Sequence, residues 1–158
     1  MATFTAARGA ATFPAFQSHE AGSLCVAMGT INIAANPTAP DIYEMCRVPA
    51  GATVVGGTFY LDDIDTNATE TLDMNVGWLA NADESADADG FGNFGVLTGD
   101  VLAEYQPEAG TVYPLGGVLI TAGPKTFTAE TTLAVDCVAT AATFTAGQMT
   151  LVVYYFVS

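Results

Sequence analysis

The sequence predicts an all-β protein, a single-domain antiparallel β-sandwich of the jelly-roll type with about eight strands. Short segments of alternating apolar and polar residues recur along the 158-residue chain, separated by Gly, Pro and Asn turns. Charged residues make up only 13% of the chain, so Thr, Ser, Asn and small residues must cover much of its surface, which suits strands better than helices. No segment shows the apolar repeat of a long helix.

Residues 1–22 are predicted to form an extended N-terminal arm ahead of a β-sandwich domain at residues 23–158. The arm is rich in small residues, is interrupted by glycine and proline, and shows no periodicity. It nevertheless holds Phe4, Phe13 and Phe16, more large aromatics than a solvated tail usually keeps. Two interpretations stay open, since these rings can pack on the domain's own sheet or dock on a partner.

The first three strands are predicted over residues 24–34, 41–48 and 53–61. Two prolines in residues 36–40 place a loop before the second strand, and Pro49 with Gly51 forms the turn before the third. In the third strand Val55 is predicted to share the apolar face with Phe59 and Leu61. The adjacent glycines at residues 56–57 predict a kink or a close backbone approach in mid-strand.

Residues 70–79 form the clearest predicted strand, because Leu72, Met74, Val76 and Trp78 alternate with polar or small residues. Trp78, the only tryptophan, is expected to be buried at the strand end. The acidic, glycine-rich residues 81–99 predict a long loop with a helical turn at residues 94–97. Residues 101–105 fit either a short helix or a strand.

Three more strand regions follow, at residues 112–121, 126–138 and 148–157. In the second of them Leu133, Val135 and Cys137 are predicted to face the core. The last is apolar on both faces. Such a strand is either central and covered on both sides, or it presents one face to another subunit.

The charge balance excludes several partners. Three cations, Arg8, Arg47 and Lys125, stand against 17 acidic residues, which gives a net charge of −14. A chain this acidic cannot neutralise phosphates, so neither a nucleic acid nor an anionic membrane is expected as a partner. The first twenty residues lack the apolar core of a signal peptide, and no apolar run is long enough for a membrane span. The expectation is a soluble protein made in the cytoplasm.

No catalytic residue and no cofactor-binding residue is predicted. The only histidine, His19, lies in the irregular arm, and neither a nucleophile elbow nor a phosphate-binding glycine loop is present. The cysteines, Cys25, Cys46 and Cys137, are odd in number and far apart, so they are predicted to be buried reduced thiols. The sequence therefore predicts a protein that is not an enzyme.

A metal site is not predicted either, although one fragment deserves a test. Asp63, Asp65 and Asn67 have the spacing that opens a calcium-binding loop, but the sixth position is Ala68 and the twelfth is Met74. A second acidic fragment occupies residues 87–90. We expect solvated acidic loops with Asx turns, with weak calcium binding at Asp63, Asp65 and Asn67 as the alternative.

An ordered set of segments resembles a known family. The set comprises a turn and strand at residues 47–57 (Arg-Val-Pro-Ala-Gly-Ala-Thr-Val-Val-Gly-Gly), Asp-Asp-Ile-Asp at 62–65, Thr-Glu-Thr-Leu-Asp-Met-Asn-Val-Gly-Trp at 69–78, Thr-Ala-Glu-Thr-Thr-Leu at 128–133 and an aromatic C-terminal strand. Over residues 22–158 the chain resembles the small head decoration, or cement, proteins of tailed bacteriophages.

The resemblance implies a virion structural protein on the outer capsid surface, without cofactors. It implies a homotrimer at local three-fold positions that clamps neighbouring major capsid subunits. If the arm anchors the protein there, Phe4, Phe13 and Phe16 are the candidate capsid contacts.

Other function classes remain as alternatives. A tail-tip or head-fibre module that contacts host glycans would need exposed loop aromatics, for which Tyr105 and Tyr113 are the candidates. A secreted carbohydrate-binding or adhesin module would usually carry a signal peptide and disulfides. A small β-sandwich enzyme would need an acid–base pair that the sequence does not single out.

Overall fold

Two β-sheets pack face to face in the computed structural model, which describes residues 1–7, 9–12, 23–97 and 111–157. The elements are β1 (Thr3–Thr5), β2 (Cys25–Ile33), β3 (Ile42–Val48), β4 (Ala52–Leu61), β5 (Asp73–Trp78), β6 (Asp87–Val96), β7 (Thr111–Pro114), α1 (Val118–Thr121), β8 (Lys125–Phe127), β9 (Thr131–Ala139) and β10 (Gly147–Val157). The predicted all-β sandwich is confirmed. Among the described residues no helix is long and apolar enough to cross a membrane.

The first sheet has the strand order β1-β3-β9-β5-β6, and the second has the order β2-β10-β4-β7, with β8 also paired to β4. Pairing is antiparallel throughout the described strands except between β1 and β3. Antiparallel sheets bury one face each, and the two inner faces form the core. The strand β10 is central, between β2 and β4.

The core is built from alternate residues of the central strands, as the sequence predicts for β5 and β9. The side chains of Met74, Val76, Leu133 and Val135 are fully buried. Trp78 is 5% exposed at the end of β5, and its ring meets Phe91 and Phe127 edge to face. The predicted burial of Trp78 at the strand end is confirmed.

The prediction for Val55 is wrong. The β4 strand shifts register against β10 between Tyr154 and Tyr155, and Val55 is the extra residue on β4. This bulge turns Val54 into the core and leaves Val55 41% exposed. The predicted close approach is confirmed next to it, since a Cβ at Gly57 would overlap the carbonyl oxygen of Val152.

The predicted loop at residues 81–99, with its helical turn at 94–97, is wrong for most of its length. Residues 87–96 form β6, which pairs with β5. Trp78 pairs with Asp87 while Val76 pairs with Gly92, so β6 has three more residues than β5 between these pairs and bulges out of the ladder. A Cβ at Gly90 would overlap the Trp78 ring. Gly90, one of the glycines that suggest a loop, therefore serves the packing of an irregular edge strand.

Three other boundaries differ from prediction. No strand was predicted in the arm, but Thr3–Thr5 form β1, whose three residues are too few to show a periodicity in the sequence. Residues 112–121 divide into β7 and α1. Residues 126–138 divide because β8 pairs with β4 in the second sheet and β9 pairs with β3 in the first, so the chain crosses between sheets at residues 128–130. Residues 101–105 lie outside the described part of the chain.

Candidate functional site

The N-terminus is tied to the domain at its first residues. The backbone N–H of Ala2 donates to Asp41 Oδ1 at 2.9 Å, and Thr38 donates to the other oxygen through its N–H and its hydroxyl. The hydrogen bond from Ala2 is the main reason that the pKa of Asp41 is lowered; burial of this carboxylate opposes it. Asp41 thus holds the start of β1 beside β3.

Phe4 is the one predicted contact phenylalanine among the described residues. It lies on β1 and stacks on Tyr43 with ring centroids 5.0 Å apart, yet 42% of its surface stays exposed. The two rings border a cavity of about 220 Å³ that also touches residues 32–36. Phe13 and Phe16, like His19 and Tyr105, lie outside the described residues.

Asp65 is buried and bonded to backbone on both oxygens. One oxygen accepts the N–H groups of Thr71, Leu72 and Ala142 at 2.8, 3.2 and 3.0 Å, and the other accepts the Thr143 N–H at 3.0 Å. Burial raises the pKa of this carboxyl, but the four N–H donors outweigh burial and lower it to about 2. These bonds stabilise the ionised form of Asp65.

Within the calcium-like fragment, Asn67 forms the predicted Asx geometry. Asn67 Oδ1 accepts the Thr69 N–H at 2.8 Å, and its Nδ2 donates to the Thr143 hydroxyl at 2.9 Å. Within residues 1–7, 9–12, 23–97 and 111–157, no three His, Cys, Asp or Glu side chains are grouped so that they could hold a metal ion.

The second acidic fragment opens β6. Burial raises the pKa of Asp87, and so does the hydrogen bond that its protonated carboxyl group donates to the Asp89 carboxylate.

The cysteines are buried free thiols, as predicted. Cys25, Cys46 and Cys137 are 5%, 1% and 3% exposed, and none is in a disulfide. Burial, followed by the charges of Asp41 and Asp73, raises the pKa of Cys137 to about 11. Such thiols are weak nucleophiles.

Tyr113 is an aromatic core-edge residue. It packs on Phe94 and Phe59 with centroid distances of 5.0 and 6.1 Å. The surface that it could offer to a glycan is therefore partly taken by the protein itself.

The outer face of the first sheet carries ionisable groups. Glu44 on β3 accepts a hydrogen bond from Thr5, and Arg47 forms an ion pair with Glu130. Asp136 on β9 is paired in register with Asn75 on β5, and burial raises the pKa of Asp136 to about 6. Asn75 Oδ1 is buried without a hydrogen-bond partner among the described residues.

The outer face of the second sheet carries no charged side chain on its three long strands. We call it the uncharged face, and it comprises Val26, Met28, Thr30 and Asn32 on β2, Gln148, Thr150, Val152, Tyr154 and Phe156 on β10, and Val55, Gly56, Thr58 and Tyr60 on β4. Its apolar members are unusually accessible, with Val26 48%, Met28 40% and Tyr154 38% exposed. The sequence indicated the two-faced apolar character of β10. The same signal on β2, where apolar residues also occupy the outward positions, was missed.

Three solved structures of phage capsids contain chains similar to this one. A chain of the cyanophage Pam1 capsid asymmetric unit matches with a TM-score of 0.66 and 26% identity over 94% of each chain. A chain of the capsid of Ralstonia phage GP4 matches with a TM-score of 0.76 and 20% identity over 99% of each chain. A chain of the acidic stable capsid of Helicobacter pylori bacteriophage KHP30 matches with a TM-score of 0.51 and 18% identity, over 87% of this chain and 90% of that one.

At these identities the GP4 and KHP30 matches show a shared fold. No protein-family model matches the chain, and no curated protein sequence matches it.

Proposed function

We propose that this chain is a structural protein of a tailed-phage virion that decorates the outer capsid surface. The observation that carries the proposal is the end-to-end likeness to a chain of the Pam1 capsid, with 26% identity over 94% of both chains. The fold of the GP4 capsid chain, shared over 99% of both chains, supports the same virion role. A structural, non-enzymatic protein accords with its buried thiols and with an ionised Asp65 whose hydrogen bonds from the described residues come from backbone N–H groups.

Charge supports the outer surface rather than the inner one. The net charge is −14, and the two described cations are already paired, Arg47 with Glu130 and Lys125 with Glu84 at 2.5 Å. A surface with so few unpaired cations repels the packaged nucleic acid. We therefore assign the protein, made in the host cytoplasm, to the outside of the shell.

In the proposed arrangement a homotrimer sits at local three-fold positions and clamps neighbouring major capsid subunits. The arm at residues 1–22 supplies capsid contacts through Phe4, Phe13 and Phe16, and residues 23–158 form the decoration domain. Because β1 pairs with β3 and Ala2 bonds to Asp41, removing the whole arm would also damage the domain. Substituting Phe13 and Phe16 together leaves β1 intact and tests the contact more cleanly.

The experiment adds the purified protein to capsids that lack it and images them by electron cryomicroscopy. We expect ordered density on the outer surface at three-fold positions, and capsids that withstand heating better than undecorated ones. The Phe13→Ala/Phe16→Ala protein should lose most of the density. Its matched control is Ile120→Ala, since Ile120 is 82% exposed on α1 and lies outside the arm. Absence of wild-type density on the shell would overturn the proposal.

A further inference from the structure

The uncharged face is unusual for this chain. Seventeen acidic residues are distributed over 158 positions, yet the outward positions of β2, β10 and β4 hold none of them. The opposite face of the sandwich carries Glu44 and Asp136. Asp62 follows β4 directly and lies at the rim, where its carboxylate accepts hydrogen bonds from the Tyr60 hydroxyl at 2.6 Å and the Gln148 N–H at 2.7 Å.

The strand register divides the uncharged face into an apolar part and a polar part. Tyr154 lies between Val26 and Gly56, and Val152 lies between Met28 and Thr58. Further along the strands the rows become polar, with Thr30 hydrogen-bonded to Thr150 at 2.9 Å. An apolar centre beside a polar border is the anatomy of a protein–protein interface. Contiguous exposed apolar area of this kind marks an interaction site.

The net charge of the chain indicates which partner binds the uncharged face. A foreign partner can match carboxylates with its own lysines and arginines, so it can dock on an acidic surface. A second copy of this chain cannot, because it carries three cations, of which Arg47 and Lys125 are ion-paired. Two copies, each at −14, repel wherever their carboxylates meet. A contact between copies therefore needs a surface without charge, and the uncharged face is such a surface.

We propose that the uncharged face is the surface through which copies of this chain associate, with Val26, Met28 and Tyr154 at the centre of the contact. A rigid aromatic such as Tyr154 contributes large contact area at low entropic cost, which suits an anchor. The inference rests on the self-assembly in the proposed function and adds the surface that performs it. It is tested without capsids, so its failure is distinct from a failure to decorate.

The test compares two valines of equal exposure on opposite sheets. Val26→Glu places a carboxylate in the uncharged face, and Val138→Glu is the matched control, because Val138 on β9 of the first sheet is 47% exposed. Mass is measured by light scattering after gel filtration between about 1 and 100 μM protein, the range of ordinary protein associations. Far-ultraviolet circular dichroism and a cooperative melt check that each variant is folded.

We expect the wild type and the Val138→Glu protein to form the same oligomer, and the Val26→Glu protein to associate about tenfold or more weakly, because burying an unpaired carboxylate is unfavourable. If the Val26→Glu protein fails to fold, the association of the Met28→Glu protein is measured instead, with the same expected result. A monomeric wild type, or an oligomer that tolerates Val26→Glu, overturns the proposal. Loss of capsid binding by a Val26→Glu protein that still oligomerises would overturn it in favour of the capsid as the occupant.

Discussion

Asp65 Oδ1 accepts the backbone N–H of Thr143 at 3.0 Å, across 78 positions of the chain. Asp65 lies where the chain leaves β4 in the second sheet for β5 in the first, and Thr143 lies where it leaves β9 in the first sheet for β10 in the second. The other carboxylate oxygen accepts N–H groups from both connections. One side chain therefore joins two crossings between the sheets.

We expect Asp65→Ala to destabilise the fold by about 3–5 kcal/mol, because four N–H groups lose their acceptor in a site that is only 3% exposed. Urea unfolding at pH 7 measures the loss. The control is Asp83→Ala, since Asp83 is exposed and the one described hydrogen bond to its carboxylate comes from the Thr128 hydroxyl. Equal effects of the two substitutions would contradict the role of Asp65 as a link between the crossings.

The difference in unfolding free energy between the wild type and the Asp65→Ala protein should depend on pH in the acid range. The folded-state pKa of Asp65 is about 2, below its usual 3.8, so this carboxylate contributes stability that is fully present above pH 3.8 and is lost as the pH falls toward 2. The gap between wild type and Asp65→Ala should therefore narrow through that window. A gap that stays constant from pH 7 to pH 2 would show that the charge of Asp65 contributes nothing.

The pKa of Asp136 is shifted in the opposite direction to that of Asp65, so its effect on stability has the opposite dependence on pH. Burial raises its folded-state pKa to about 6 from 3.8, so its contribution to stability is fully present below pH 3.8 and is lost as the pH rises through 6. We expect Asp136→Asn to stabilise the protein at pH 8 by about 1–2 kcal/mol. Its amide can also donate to the unpartnered Oδ1 of Asn75, the register neighbour on β5.

Urea unfolding of the wild type and the Asp136→Asn protein at pH 8 and at pH 3.5 tests this prediction. Packing differences are the same at both pH values, so the change in the gap between them isolates the charge. The gain at pH 8 should shrink at pH 3.5, where the carboxyl is protonated in the folded state and mostly protonated in the unfolded state. A gap that is the same at both values would contradict a buried ionised carboxylate.

The assignment of residues to the buried or the outer face was predictable only where the period of two runs unbroken. The sequence of β5 keeps that period from Met74 to Trp78. The burial of Met74, Val76 and Trp78 was predicted correctly, but Asn75 and Gly77 between them, expected on a solvated face, are buried as well. β4 loses the period at Val55, because a bulge adds one residue and reverses which neighbours face the core. A bulge depends on the partner strand β10, which is distant in sequence, so the pattern within β4 could not reveal it.

The Asp65 site and the uncharged face were likewise predictable only in part. Asp65 was singled out by its spacing from Asp63, but its four donors come from residues 71–72 and 142–143, which only the folded chain brings together. The sequence indicated only the β10 part of the uncharged face, since β10 is apolar on both sides. Its other half required the pairing of β2 with β10, which sets Val26 beside Tyr154.

The buried thiols give a direct test of the core. We expect Cys25, Cys46 and Cys137 to react with an aromatic disulfide reagent far more slowly in the native protein at pH 8 than in urea, because all three are nearly inaccessible. Three thiols should be counted after unfolding. A thiol that reacts at once in the native protein would contradict the packing around it.

The adjacent glycines of β4 provide the sharpest test of the sheet geometry. Gly57 faces inward, where an added Cβ would overlap the carbonyl oxygen of Val152 and lie 2.8 Å from Leu115 Cδ1. The obstacle includes backbone, which cannot rotate away as a side chain can, so β4 and β10 would have to separate. We expect Gly57→Ala to cost about 2–3 kcal/mol of unfolding free energy.

Gly56→Ala is the matched control, one residue away in the same strand. An added Cβ at Gly56 meets nothing within 4 Å, and its φ is not positive, so alanine should fit without strain. By restricting the unfolded chain, this substitution should be neutral or stabilise by up to about 1 kcal/mol. Similar losses at both positions would show that β4 and β10 pair in a different register, in which Gly57 does not lie opposite Val153 and its Cβ would not meet the carbonyl oxygen of Val152.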